Sequence, residues 1–202
     1  MQSLLPQDGK LFHFPNYYTQ KQSGLFMDIL TDKVKWQQDK IKMYGKEHNI
    51  PRLTSWYSLG GLSYSYSGIN MVPNKIDFEE LSLIHSGISL ELWNMGLIDD
   101  LNHFNSVLVN RYRDGKDSVS WHADDEKELG DNPIIASITF GATRTFKFRH
   151  KLLPNTLKTD LELTSGSLVI MAGATQHHWE HSIPKTTKEI GPRINLTFRH
   201  IS

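Results

Sequence analysis

Cysteine is missing from all 202 residues, so neither a disulfide framework nor a thiolate metal site can be built, which fits a reducing interior. A surplus of charge is missing too: 22 basic residues balance 22 acidic ones, and overall charge gives no electrostatic footprint for a nucleic-acid partner. No apolar run approaches eighteen residues and no secretory leader is visible. The expectation is a soluble intracellular protein without a membrane partner, cytoplasmic in a bacterium or nuclear in a eukaryote. Repeats, low-complexity tracts and linkers are absent as well, so one domain over 1–202 is expected, and 38% hydrophobic residues suffice for its core.

Charge is segregated locally. Lys35, Lys40, Lys42, Lys46 and Arg52 gather in the first quarter, Arg144, Lys147, Arg149, His150, Lys151 and Lys158 gather later, and acids crowd between Asp124 and Asp131. Such runs are usually solvated faces and lend weak support to a polyanionic partner.

The chain divides into a mixed first half and a strand-rich second half. Leu11 to Pro15 reads as an extended segment. A helix follows Tyr18, with Thr19 as cap and Leu25, Phe26, Ile29, Leu30 and Val34 at helical spacing, positioned to pack on a sheet. Short strands and turns run from Asp39 to Tyr66, punctuated by Tyr44-Gly45 and Gly60-Gly61. A second helix is expected from Asp77 to about Met95, with Asp77 as cap, Glu80 three residues later, and Leu81, Ile84, Ile88 and Leu92 as its buried stripe. Beyond Asn102 about eight strands follow, at 105–112, 118–123, 134–141, 143–150, 157–163, 167–171, 178–183 and 193–201. That count matches a jelly roll. The expected fold is α+β, mainly β: N-terminal helices and hairpins over 1–102 supporting a double-stranded β-helix over 103–202.

Side-chain parity then picks out a candidate centre. In an extended chain His122 and Asp124 share a face while Ala123 points away. A third ligand must come from elsewhere, and His177, His178 and His181 are the candidates. Two histidines and one carboxylate on one side of a metal, with open positions opposite, suit a non-haem Fe(II) oxygenase, although zinc could occupy the same three ligands. In the last strand Arg193, Asn195, Thr197 and Arg199 share one parity while Ile194, Leu196 and Phe198 share the other. An ordinary half-buried strand would put that polar face in water. Two arginines on one face could instead grip the ends of a small dicarboxylate, each through its planar fork.

The order His122-Ala123-Asp124, then His181, then Pro192-Arg193-Ile194-Asn195-Leu196-Thr197-Phe198-Arg199 resembles the AlkB family of Fe(II)/2-oxoglutarate dioxygenases, and most of all the branch that repairs alkylated bases in duplex DNA. The resemblance extends from about Lys42 to His200. It includes Asn110-Arg111-Tyr112-Arg113-Asp114-Gly115, His122 to Glu126, the Ser137 to Gly141 strand and Phe148-Arg149-His150-Lys151.

That resemblance implies Fe(II) held by His122, Asp124 and His181, the last chosen because the branch begins a His-Ser-aliphatic-Pro segment with its third ligand. It implies 2-oxoglutarate bound through Arg193 and Tyr112, with Arg199 near the chelating carboxylate, Asn110 and Asn195 in support and Thr197 a weaker candidate. Molecular oxygen would be consumed, and ascorbate would help in vitro. The implied reaction is oxidative demethylation of 1-methyladenine or 3-methylcytosine in DNA, yielding succinate, carbon dioxide and formaldehyde. A base must leave the duplex to reach such a centre. By resemblance Tyr66 would stack on it with Tyr64 alongside, Glu126 would contribute to the base site, and Met43-Tyr44-Gly45 would fill the vacated gap, followed by Arg52.

The neutral composition, Met-Tyr in the finger, and the extra nitrogens of His177-His178 depart from the family pattern. Rival readings are an oxygenase acting on RNA, nucleotides or protein, and a metal-binding jelly-roll module without turnover. A monomer is expected.

Overall fold

The computed structural model describes residues 2–43, 45–58, 64–66 and 69–202; for 43, 64–66 and 69–71 it describes the backbone alone. Along the chain run β1 (Lys10–Phe14), α1 (Gln20–Lys33), β2 (Lys40–Met43), β3 (Lys46–Asn49), β4 (Leu53–Ser58), β5 (Tyr64–Tyr66), β6 (Ile69–Met71) and α2 (Glu79–Asn94). The strand-rich half follows with β7 (Ser106–Tyr112), β8 (Val119–His122), β9 (Ile135–Gly141), β10 (Arg144–His150), β11 (Lys158–Leu163) and β12 (Ser167–Ala172), then the short helix α3 (Thr175–His178), β13 (Trp179–Ile183) and β14 (Arg193–Arg199). All eight strands expected beyond Asn102 are present.

They form two antiparallel sheets. The major sheet has the order β1-β12-β9-β14-β7-β4 and the minor sheet β11-β10-β13-β8, the alternating assignment of a jelly roll. Strands β9, β12 and β14 are buried on both faces. Ile138, Phe140, Leu168, Ile170, Ile194, Leu196 and Phe198 point into a core shared with the helices, while Ile135, Val169 and Met171 point toward the minor sheet's Phe146, Phe148 and Trp179. A slip of one residue in β14 would exchange Ile194 for Arg193, so the two-sided burial pins its register.

Both helices lie against the outer face of the major sheet. Thr19 caps α1 through a full capping box with Gln22. Leu30 and Val34 are buried as expected, whereas Leu25 is exposed and belongs to the solvent side. The second helix departs from expectation at its start: Phe78 is the N-cap without a side-chain bond, and Asp77 instead pairs with Lys35 at 2.8 Å. A lost cap costs about 1 kcal/mol, whereas burying each of Leu81, Ile84, Ile88 and Leu92 stabilises by roughly 1.5–3 kcal/mol, so packing decides where this helix forms. No helix among the described residues is long and apolar enough to cross a membrane.

One backbone position sets the approach to β14. Gly141 ends β9 with φ +90°, and a Cβ there would collide with the Pro192 carbonyl oxygen. Only glycine permits both the left-handed turn and that close approach. The same carbonyl accepts from Ala142 N–H, and Arg193 follows directly, opposite Gly141 on one side and Tyr112 on the other.

Candidate active site

His122 ends β8 and His181 faces it in register from β13, their rings 4.2 Å apart. Asp124, two residues on, is 1% exposed, and one ligand atom from each of the three side chains lies within 4.8 Å of the others. The parity argument for His122 and Asp124 therefore describes the geometry. Hydrogen bonding also sets the tautomer of His122: Nδ1 donates to the Ser120 carbonyl at 2.9 Å, which makes Nε2, 3.7 Å from Asp124 Oδ1, the lone-pair nitrogen.

His177 and His178 do not join this group. They lie on α3, whose helical turn breaks the strand parity that would have aligned His177 with His181, and β13 begins only at Trp179. The residue of α3 that does reach the centre is Gln176, 1% exposed, whose carboxamide oxygen accepts from the Asp124 backbone N–H at 3.0 Å. Nothing in its sequence context singled it out.

Electrostatics favour a ligand-ready state. Burial alone would raise the Asp124 carboxyl, but the charge of the adjoining Arg199 guanidinium outweighs it and holds the group well below the usual carboxylate range. Arg199 donates to Asp124 Oδ2 from Nη2 at 2.8 Å and from Nε at 3.2 Å. Burial, reinforced by His122, pulls His181 down to about 3, and burial also lowers His122. Two neutral imidazoles and an ionised carboxylate are the protonation states a divalent metal requires. Asp124 Oδ1 and His181 Nδ1 are buried without a hydrogen-bond partner among the described residues.

The same cavity continues to Arg193, which is buried at 2% exposed together with Tyr112, Asn110, Asn195 and Thr197. The polar face of β14 is thus interior. Arg193 Nη2 donates to Thr139 Oγ1 at 2.8 Å and to Asn195 Oδ1 at 2.7 Å, and its Cζ lies 4.9 Å from the centre of the Tyr112 ring. Ser137 and Thr139 donate to the same Asn195 oxygen, and the amide nitrogen of Asn195 donates to Thr197. Nε and Nη1 of Arg193 have no partner among the described residues, an arrangement that a buried cation tolerates only if something else completes it. Burial pulls the guanidinium down to about 10.

Arg52, expected to contact substrate, lines this cavity from β4's edge; it is buried and donates to Asn110 Oδ1 at 2.8 Å. Glu126 is half-buried and begins the 3₁₀ turn Lys127–Leu129. Tyr64 and Tyr66 lie on β5, opposite Met71 and Ile69 of β6, and their side chains are outside what is described. In the finger, Met43 pairs with Lys46 and Gly45 turns with φ +79° in open space, while Tyr44 falls outside the described residues, as do Gly60, Gly61, Ser67 and Gly68.

The second basic run is not a surface patch. Arg144 and His150 are buried, and Lys147, Arg149 and Lys151 pair with Asp160, Glu180 and Asp125. On the β2–β3 hairpin Lys40 pairs with Glu47, whereas Lys42 and Lys46 have no ion pair among the described residues. A further cluster of similar composition, Asp8, His150 and His178, sits at the end of β10.

A family model described as the 2OG-Fe(II) oxygenase superfamily matches residues 10–199. The chain belongs to that superfamily. The chain is 40% identical over 196 residues to the mouse alpha-ketoglutarate-dependent dioxygenase alkB homolog 3, covering 93% of this chain and 65% of the relative. It is 40% identical over 168 residues to the human DNA oxidative demethylase ALKBH2, covering 80% of this chain and 61% of that protein. The chain thus spans somewhat under two thirds of the curated relatives it matches. The solved structure of OsALKBH1 superposes with a TM-score of 0.59 at 14% identity over 94% of this chain and 97% of that one, which shows a shared fold.

Proposed function

We infer that this oxygenase removes N-linked methyl groups from nucleobases in DNA, of the 1-methyladenine and 3-methylcytosine kind, with decarboxylation of 2-oxoglutarate to succinate and release of formaldehyde. The observation that carries the reading is one cavity holding both a two-histidine, one-carboxylate donor set and a buried arginine with two unanswered N–H groups.

The residues fit the groups the family implies. His122, Asp124 and His181 would hold Fe(II), with Asp124 already ionised and held by Arg199. Arg193 and Tyr112 would receive the distal carboxylate of 2-oxoglutarate, supported by Asn110, Asn195 and Thr197, and Arg199 would lie beside the carboxylate that chelates the metal. The bound iron, with 2-oxoglutarate and oxygen, supplies the oxidising power for the methyl C–H bond. The protein's contribution is orientation. Hydrogen bonds fix the fork of Arg193, the His122 tautomer and the Asp124 carboxylate before any ligand arrives, so little reorganisation is left to ligand binding.

DNA as substrate is supported by the likeness to the human DNA oxidative demethylase ALKBH2 and by the β2–β3 hairpin, where Gly45 makes an exposed turn between Lys42 and Lys46. Succinate release with iron, ascorbate and 2-oxoglutarate, measured on methylated oligonucleotides in single and double strands, tests the reading. Methylated DNA should stimulate release and unmethylated DNA should not; equal release with both would sink it. Gly45→Val, strained at a positive φ, should slow repair of the duplex more than of the single strand, because unpairing a base costs a few kcal/mol only in the duplex.

A further inference from the structure

Arg144 stands in what reads along the chain as a basic surface run, yet it is 3% exposed. Its guanidinium donates to three backbone carbonyls: Asp114 at 3.3 Å, Asp117 at 2.9 Å and Pro184 at 2.6 Å. These belong to the β7–β8 turn and to the segment leaving β13, so one side chain ties together two loops at the Arg193 end of the cavity. The nearby carboxylate of Asp117 is engaged by Arg113, which donates to both of its oxygens. Arg144 therefore makes its hydrogen bonds to backbone dipoles, while the Asp117 carboxylate acts on it through space and accepts its own hydrogen bonds from Arg113. Burying a guanidinium is costly even with such support.

What lies nearby is Tyr112. The Arg144 Cζ is 5.7 Å from the centre of that ring and the Arg193 Cζ 4.9 Å from the same centre, both within cation–π range. Two buried cations against one aromatic ring repel each other; Arg144 contributes to the lowering of Arg193, after burial. The two open donors of Arg193 face a cavity that contains no carboxylate other than that of Asp124, already paired with Arg199. The Asp117 carboxylate lies on the Arg144 side and is engaged by Arg113, so on the cavity side Arg193 meets no anion until a ligand brings one.

We propose that Arg144 is a positioning residue for the co-substrate: it holds Tyr112 and the two loops behind Arg193, and its charge, reinforcing that of Arg193, selects a ligand with a second, distal carboxylate over a monocarboxylate 2-oxoacid. The proposal rests on the reading of Arg193 as the distal-carboxylate site. It concerns discrimination at that site and not metal binding.

The test is calorimetric binding to the Mn(II)-loaded protein, comparing 2-oxoglutarate with 2-oxopentanoate, which has a methyl group where the distal carboxylate would be. Loss of one buried charge near the ligand should weaken 2-oxoglutarate on the order of tenfold in Arg144→Met, leave 2-oxopentanoate nearly unchanged, and be largely rescued by Arg144→Lys. Arg144→Gln keeps a donor for the carbonyls and replaces the Met variant if that one does not fold; it should lose the preference as Met does. Equal weakening of both ligands, weakened Mn(II) binding, or a Lys variant as poor as Gln would overturn the proposal and leave Arg144 a loop clamp. Arg193→Met serves as the separate control: if it keeps the preference for 2-oxoglutarate, the reading of the Arg193 site itself is wrong.

Discussion

His122, Asp124 and His181 between β8 and β13, and Asp8, His150 and His178 at the end of β10, offer the same two imidazoles and one carboxylate, in each case with donor atoms within 4.8 Å. The difference lies in what surrounds them. In the first cluster His122 gives its Nδ1 proton to a carbonyl and keeps a lone pair on Nε2. In the second, His150 Nδ1 accepts the Leu152 N–H at 3.2 Å, so the ring proton sits on Nε2, which faces Asp8 Oδ2 at 3.3 Å. A protonated nitrogen has no lone pair to give a metal. Asp124 is buried and held by Arg199, whereas Asp8 is 43% exposed at its side chain on an outer segment with φ +54°. Donor identity alone does not make a metal centre; tautomer, burial and a fixed carboxylate do.

The largest effect expected from breaking the first cluster is at Asp124. Asp124→Asn keeps an oxygen for Arg199 but removes the anionic ligand, and it should abolish turnover and weaken metal binding beyond the roughly 10–100-fold that loss of an outer-shell partner costs. Asp124→Ala should do the same and also destabilise the fold, because it removes one partner of a buried ion pair. Thermal unfolding separates the two variants. Next in size is Arg193→Met, which should raise the 2-oxoglutarate requirement about ten- to a hundredfold, as expected for a charge-assisted contact of roughly 1.5–3 kcal/mol. An unchanged requirement would mean that β14's buried polar face serves structure only. Smaller again is Gln176→Leu. It leaves the ligands in place but removes the acceptor for the Asp124 backbone N–H, and metal affinity should fall by about tenfold.

What could be read from the chain, and what could not, follows the range of the interactions. Strand parity is local, so the shared face of His122 and Asp124 and the two faces of β14 were legible, as were the Thr19 cap and the buried stripe of α2. Parity does not say which face meets water. The polar side of β14 is buried because a second sheet covers it, a contact between segments far apart in sequence. Asp77 likewise exchanged the role of a local cap for a pairing with Lys35, 42 residues earlier. Arg144 and His150 looked like members of a basic run because charge is counted along the chain, while their burial comes from the inward parity of β10. The choice among His177, His178 and His181 depended on where α3 stops and β13 starts. No residue pattern fixed that boundary, and the resemblance selected the residue that the structure brings to His122.

The smallest expected effect sharpens the comparison most. If the second cluster is a set of packed side chains and not a metal centre, Asp8→Ala and His178→Ala should leave the stoichiometry and affinity of Mn(II) or Fe(II) binding at one equivalent, unchanged within about twofold. His178 stacks parallel on His150 at 5.9 Å, and Asp8 touches only the protonated nitrogen, so their removal costs packing and one partly exposed charge contact, which is worth at most about 1 kcal/mol of stability. His181→Ala must behave in the opposite way and lose the metal. The two histidines stand three residues apart, and both share a site with a second imidazole and a carboxylate. A titration that found metal lost in His178→Ala and retained in His181→Ala would reverse the assignment of the third ligand, and with it the argument from tautomer and burial. Loss of a second, weaker equivalent in Asp8→Ala would show that the Leu152 N–H yields its hold on His150 when a metal competes for the ring.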